Sequence, residues 1–302
     1  MNKPSVIYLF INLMISKKYH RGKWKNKTFR YKFFFRCCIK PISIFIYLRD
    51  LYELDYIEQL LEANPTLPGK PQRPYLYKGG DFIFRVHSIL DHYHFVQSLP
   101  YSYRKKLLVY QDTILAEFNG SGGEQADIIC TPCCFDREGE LMLILRFKNI
   151  VISRLSFSFI VWKGEISIFI GGLQGPPKHT NSEVLKIATK SFYGLFPHRL
   201  LCEIIIILAN ICGIKRIMAV YEHNHVLTNS RYFYRKKGRF VAKYSEYWES
   251  IGSIKDGGFY RLPNNIHRKE ISEIPARKRA KYRRRYIMLD NISQNIIYNF
   301  NE

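Results

Sequence analysis

Three kinds of residue in this chain have the types and spacing to do chemistry: glycines that bare backbone, histidines and tyrosines that move protons, and arginines that grip phosphate. The run Gly171-Gly172-Leu173-Gln174-Gly175-Pro176-Pro177 lies between a predicted strand and a predicted capped helix. Glycines there let backbone N–H groups approach an anion, and a helix N-terminus adds positive potential. Gly172, Gln174 and Gly175 are therefore anion-binding candidates. The run lacks the Gly-Lys-Ser/Thr ending of a P-loop and the dinucleotide fingerprint, and a plain strand-to-helix turn is the simpler account. His225 and Tyr244 are the candidate acid and base, provided a pocket brings them near Gln174.

Other constellations have structural explanations. Two His-x-His pairs occur, His92/His94 and His223/His225. On a strand both rings of such a pair share a face and suit a metal. The first pair falls in a predicted helix, which spoils that geometry. The second keeps the option, with a structural or substrate-orienting histidine as the default, and no metal is expected. Cys130-x-x-Cys133-Cys134 has zinc-like spacing without a second pair, and reads as small apolar packing in a strand. Tyr244, Tyr247 and Trp248 are aromatics that stack a ligand or fill a core. Arg277, Lys278, Arg279, Lys281, Arg283, Arg284 and Arg285 crowd into nine positions, with Tyr282 and Tyr286 among them. Either the arginines meet phosphate or the run is a solvated basic helix. No Gly-x-Ser-x-Gly and no His-Glu-x-x-His is present.

The elements that would position these residues follow from periodicity. A basic, aromatic arm fills residues 1–44; within residues 1–40 stand eleven Lys or Arg and no acid. The apolar stretch from Ser5 to Ile15 has the length of a signal h-region, but a basic run follows with no small-residue cleavage site, so a peripheral or buried segment is expected. Residues 45–124 read as a helical region: helix over 41–62, a proline-rich linker or loop from Asn64 to Pro74, and helix over 82–99. The core, 125–302, begins with strands over 125–135, 141–148, 155–161 and 166–170, with Asp136-Arg137-Glu138-Gly139 and Lys163-Gly164 as turns. The period then changes to helical, from Thr180 to Gly194 and from about His198 to Cys212. The second of these is apolar on nearly all sides, yet its roughly 22 Å is short of a bilayer, so it is a core helix. A short strand over 217–220 follows. The fold class is α/β or α+β, an antiparallel central meander with packed helices.

A net charge of +22 on 302 residues favours an anionic partner: a membrane lipid surface, a phosphorylated ligand or nucleic acid. Seven cysteines, with adjacent pairs at 37/38 and 133/134, make a poor disulfide framework and point to a reducing compartment, cytoplasmic or peripheral at the inner membrane.

Taken in order, Ile170-Gly171-Gly172-Leu173-Gln174-Gly175-Pro176, Ala188-Thr189-Lys190 leading to Gly194 and Pro197, Ala219-Val220, His225-Val226, Tyr244 with Tyr247-Trp248, Asp256-Gly257, and Lys278-Arg279-Ala280 with Tyr282-Arg283-Arg284-Arg285-Tyr286 resemble the VirK/YbjX family of bacterial proteins. The resemblance covers about residues 45–290. It marks Lys190, Trp248, Arg279, Tyr282 and Arg283 as ligand-site candidates. Where the family pattern carries an arginine before Pro197 this chain has Phe196, and Arg199 stands nearest. The resemblance implies a domain of unknown biochemical activity linked to virulence, envelope remodelling and antimicrobial-peptide tolerance. The element order is also similar to acyl-CoA-dependent N-acyltransferases, with residues 174–190 as the cofactor-cradling place, though the Gln-x-x-Gly-x-Gly/Ala signature is absent. An acyltransferase-like enzyme using acyl-CoA and a nucleic-acid-binding regulator are the alternatives.

Overall fold

The computed structural model describes residues 6–15, 22–107, 112–230 and 244–302; Lys3, Lys17, Lys18, His20 and Arg21 of the basic arm lie outside them. Helices come first. α1 (Val6–Ile15) buries Leu9 and Leu13. Trp24 is buried in the turn that follows and donates its indole N–H to Pro65 O. α2 (Lys27–Ile39) starts where Asn26 Oδ1 accepts the Thr28 N–H, and α3 (Pro41–Glu53) where Pro41 sets the first turn. The helix expected over 41–62 is broken. Leu54 turns into the core, Tyr56 takes φ +56°, and α4 (Ile57–Ala63) restarts behind it.

The proline-rich stretch is a loop, as expected, but it is no solvated linker. Leu67, Lys70, Arg73 and Tyr75 are buried in it, because Lys70 and Arg73 reach across to Glu140 and Asp136. α5 (Phe82–Ser98), capped by Asp81 on the Phe84 N–H, and α6 (Tyr101–Leu107) lead to the sheet.

Five strands form an antiparallel meander: β1 (Thr113–Asn119), β2 (Gln125–Pro132), β3 (Leu141–Phe147), β4 (Ile150–Trp162) and β5 (Glu165–Gln174). The two-residue turns Lys148-Asn149 and Lys163-Gly164 take positive φ at both positions, which matches the twist of the strands they join. β3 covers one edge of β4 only as far as Phe157, and α5 covers the rest. Val161 N–H donates to the Asp91 carboxylate at 3.0 Å and Phe159 N–H to His92 Nδ1 at 3.2 Å. Side chains thus satisfy strand donors that no neighbouring strand meets.

α7 (Ser182–Ser191), capped by Asn181, and α8 (Pro197–Ile211) carry the chain to β6 (Arg216–Ala219), which joins β5 in parallel. α9 (Tyr244–Ser250) and the hairpin β7 (Ile254–Asp256) and β8 (Phe259–Arg261) complete a sheet of order β1-β2-β3-β4-β5-β6-β8-β7. α10 (Ala276–Asn301) lies against β1, where Asn299 donates to Leu115 O at 2.9 Å, and so covers an edge strand.

The architecture is the mixed sheet-and-helix fold expected, an eight-stranded and mostly antiparallel sheet with packed helices. One apolar cluster runs through it from Leu9 to Phe300. α8 is the buried core helix expected: Leu200, Leu201, Ile204, Ile205 and Leu208 are wholly inaccessible against the sheet. Among the described residues, no helix is long and apolar enough to cross a membrane.

The carboxyl end of β5 departs from a regular strand in two ways. Gly171 and Gly172, expected in a loop, belong to the strand itself, and Gly171 is the extra residue of a bulge between the pairs Phe157↔Ile170 and Ser156↔Gly172. β5 and β6 pair only over Ser167–Ile170 and Arg216–Ala219, after which β5 runs on to Gln174 while the chain leaves β6 into a turn. The two parallel strands therefore part at their carboxyl ends.

Candidate functional site

The turn between β2 and β3 carries three carboxylates in alternation, and each is drawn into a different set of partners. Asp136 faces Lys23 at 3.0 Å and Arg73 at 3.2 Å and accepts from Thr66 Oγ1. Burial alone would raise its carboxyl pKa; the positive charges of Arg73, Lys70, Lys23 and Arg137 overcome that and hold it well below the usual carboxylate range. Glu140 meets Lys70 Nζ at 2.7 Å and accepts from Tyr75 and Tyr93 hydroxyls at 2.7 and 2.8 Å. Both ions are inaccessible and well bonded, which is the pattern of a structural pair.

Glu138 differs, because its partners come from the parting strands. It is 3% exposed. Oε2 accepts from Gln174 Nε2 at the end of β5 and lies 3.5 Å from Ser156 Oγ of β4. Oε1 is 3.6 Å from Nε2 of His225, in the turn after β6. Leu227 N–H donates to His225 Nδ1 at 3.2 Å, which leaves Nε2 as the ring nitrogen that carries a proton toward Glu138. A Cβ on Gly171 would stand 2.0 Å from Glu138 O, and one on Gly172 2.2 Å from Oε2. Both glycines are there to let the acidic turn lie on β5. Tyr244, at the start of α9, closes the free edge of β5: its hydroxyl donates to Leu173 O at 2.9 Å and accepts from Leu173 N–H at 3.2 Å. Burial, with the Glu138 charge adding to it, raises the Tyr244 phenol well above its ordinary value, partly opposed by the Leu173 N–H.

A cleft of about 870 Å³ opens one residue beyond Gln174. Gly175 and Pro176 form its wall at the exit of β5, Leu185, Lys186, Thr189 and Lys190 come from the flank of α7, and Phe196, Pro197, His198 and Arg199 from the start of α8. Tyr247 and Ile251, at the far end of α9, and Lys281 of α10 complete it. The walls are mainly apolar. Among the described residues the lining includes Lys186, Lys190, Arg199 and Lys281 and no carboxylate, although Glu203 meets Arg199 at 3.4 Å. His198 Nδ1 shares a 2.7 Å hydrogen bond with Ser153 Oγ, and burial lowers its pKa to about 4, so the ring is neutral at pH 7. Burial likewise pushes the Cys202 thiol, beside the Tyr247 hydroxyl, up to about 12.

Some of the residues singled out from sequence fall in these two places, and the rest in neither. Gln174 belongs to the Glu138 cluster with His225 and Tyr244; Gly175, Lys190 and Arg199 belong to the cleft. Gly172 faces a carboxylate, which leaves no place there for an anion. Trp248 pins α9 to the sheet through its indole N–H on Val220 O at 2.8 Å. Arg279 donates to Ile274 O and Ser272 O ahead of its own helix, and Tyr282 lies under the Arg285 guanidinium. Arg283 is exposed, and Lys281 is the residue of that run that reaches the cleft. The His-x-His pair at 223 and 225 is split, His223 exposed and His225 buried, because the segment is a turn and not a strand. No group of three or more His, Cys, Asp or Glu among the described residues could hold a metal. Cys130 and Cys133 are buried free thiols, as the packing account expected, but Cys134 is exposed. Glu138 and His198 were missed. A glutamate in a predicted turn is ordinarily solvated, and nothing in the sequence marks this one as buried.

The molecule is thus a mixed α/β protein with a cation-rimmed apolar cleft at the carboxyl end of a strand that leaves a parallel pair. The chain belongs to the family described as protein of unknown function (DUF535), the VirK/YbjX family, whose pattern matches residues 22–298. It is 32% identical over 292 residues to the uncharacterized protein YbjX of Escherichia coli K12, covering 95% of this chain and 88% of that one. An uncharacterized Haemophilus influenzae protein is 26% identical over 163 residues, 53% of this chain and 52% of its own length. No solved structure matches the chain.

Proposed function

We propose that the cleft binds an acyl chain carried on a phosphate-bearing molecule, acyl-CoA among them, and that the protein is an acyltransferase-like enzyme serving the bacterial envelope. The observation that carries this reading is the pairing of an apolar cleft with Lys186, Lys190, Arg199 and Lys281 at its rim. An acyl chain needs the first and a phosphate the second. The position supports it as well: in open sheets ligands lie beyond the carboxyl ends of parallel strands, where the strands part. Acyl transfer also needs a group to take the acceptor's proton. Among the described lining residues His198 is the imidazole placed to do that, neutral at pH 7 and held through Nδ1 by Ser153, with a basicity that burial lowers and that the charge of a bound phosphate would raise. Acylated phosphates are components and precursors of bacterial membranes, which is why the envelope role implied by the family resemblance accords with this cleft.

The test is release of free thiol from palmitoyl-CoA in the presence of amine- or hydroxyl-bearing acceptors. Turnover by the full chain that falls about tenfold or more in Lys190→Ala/Lys281→Ala and in His198→Gln supports the reading. Turnover unchanged by all three substitutions, or none above the uncatalysed rate, overturns it. Tight binding of duplex DNA with a steep salt dependence, and none of acyl-CoA, would favour the nucleic-acid alternative.

A further inference from the structure

The three N-terminal helices each have two apolar faces, and only one of them is used. In α1, Leu9 and Leu13 are buried, while Ile7, Ile11 and Ile15, four residues apart, are 59%, 50% and 75% exposed. In α2, Phe33 and Cys37 are buried, while Phe35 and Ile39 are 70% and 66% exposed. In α3, Ile44, Tyr47, Leu48 and Leu51 are buried, while Ile42 is 75% exposed with Phe45 and Ile46 beside it. These helices hold nearly half of the exposed large apolar side chains among the described residues. A helix apolar on both sides is stable in a folded protein only if something covers the second side. The three faces are not scattered. Val6, Ile7, Phe10, Phe34, Pro41 and Phe45 line a common groove of about 260 Å³ between the helices.

The charge on α1, α2 and the first turns of α3 is of one sign, with Asp50 and Glu53 at the far end of α3. No Asp or Glu occurs before Asp50, and Lys25, Lys27, Lys32 and Lys40 are exposed on or beside α2. Neighbouring cations would repel one another across an interface between two copies of the same face. Anionic headgroups would draw them in, while apolar and aromatic side chains enter the acyl boundary beneath.

We propose that the outward face of α1, α2 and α3 docks on an anionic lipid surface, lying in the interface and not crossing it. The face is separate from the cleft, and its docking does not depend on what the cleft binds.

Co-sedimentation of the full chain with phosphatidylcholine vesicles, with and without phosphatidylglycerol, tests this. The set Phe35→Ser/Ile39→Ser/Ile42→Ser, at side chains about two-thirds or more exposed, removes apolar contact outside the buried core, and an unchanged thermal melt confirms that it folds. The full chain should bind the anionic vesicles and the triple variant should bind about tenfold or more weakly, while palmitoyl-CoA binding in solution stays as it was. Equal binding by both proteins, or failure of the full chain to bind anionic vesicles, overturns the proposal. A self-association that the triple variant abolishes, with no vesicle binding, would make the face an interface between two copies and would also overturn it. Failure of the full chain to bind palmitoyl-CoA, with vesicle binding intact, leaves docking standing and counts against the cleft alone.

Discussion

Glu138 and His225, 87 positions apart in the chain, stand with Oε1 and Nε2 3.6 Å from each other, and through them the acidic turn holds the segment after β6 against the end of β5. Gln174 completes the link on Glu138 Oε2. The contact lies where the two parallel strands part, and the cleft opens one residue beyond Gln174, at Gly175.

The glycines beneath Glu138 should therefore be unequal. At Gly171 a methyl group would meet the Glu138 backbone carbonyl, which cannot move without shifting the turn; at Gly172 it would meet the end of the Glu138 side chain, which can swing. Neither position needs positive φ, so the difference is one of space. Gly171→Ala should cost about 3 kcal/mol or more and Gly172→Ala about 1–2 kcal/mol, measured by urea unfolding. Equal costs would mean that the turn is not seated as described.

The Lys70–Glu140 pair predicts strong coupling. Removing one ion leaves the other buried without its direct ionic contact, so Lys70→Met and Glu140→Gln should each cost about 3–5 kcal/mol. The double variant should cost less than the sum by about 2 kcal/mol or more. Additive losses would show that the two side chains do not share one buried contact.

Stability should fall on mild acidification, and two histidines say why. Burial, reinforced by the Lys70 charge, lowers His92 from its ordinary 6.5 to about 3, and burial lowers His198 from 6.5 to about 4. Between these values and 6.5 the unfolded chain binds protons that the folded chain does not. Their contribution is fully present above pH 6.5 and is lost as the pH falls toward 3–4, at up to roughly 1.4 kcal/mol per pH unit for each ring. Asp136, whose carboxyl is depressed, adds a loss only at lower pH, as it protonates. His92→Gln should flatten the profile between pH 6.5 and 4; an unchanged slope would place the proton uptake elsewhere.

How much of this could be read from residues alone depends on which force sets each element. The meander was legible because Leu141, Leu143, Leu145 and Phe147 obey a period of two, and Lys163-Gly164 is a turn that suits positive φ. α8 was legible because its apolar run is too short for a bilayer, and burial on all sides is the remaining option. β1 was not read as a strand, since Thr113–Asn119 is half exposed and mixes Glu117 with apolar residues. The proline-rich stretch was legible as a loop from its prolines, but its burial was not, since Lys70 and Arg73 are charged and only distant carboxylates make their burial possible. The site behaved likewise. Gly175, Lys190 and Arg199 were found through motif and charge, and their cleft then gathered Lys281 from the C-terminal helix. Glu138 was hidden because its role depends on contacts formed only once β5 and β6 part.

Equilibrium titration of the full chain with palmitoyl-CoA, CoA and palmitate, repeated on Lys190→Ala/Lys281→Ala, reads the cleft most directly. The account predicts that palmitoyl-CoA binds at least about tenfold more tightly than either part alone, and about tenfold more weakly in the variant, each tenfold being about 1.4 kcal/mol. Palmitoyl-CoA bound no better than CoA, or equally well by both proteins, would contradict it.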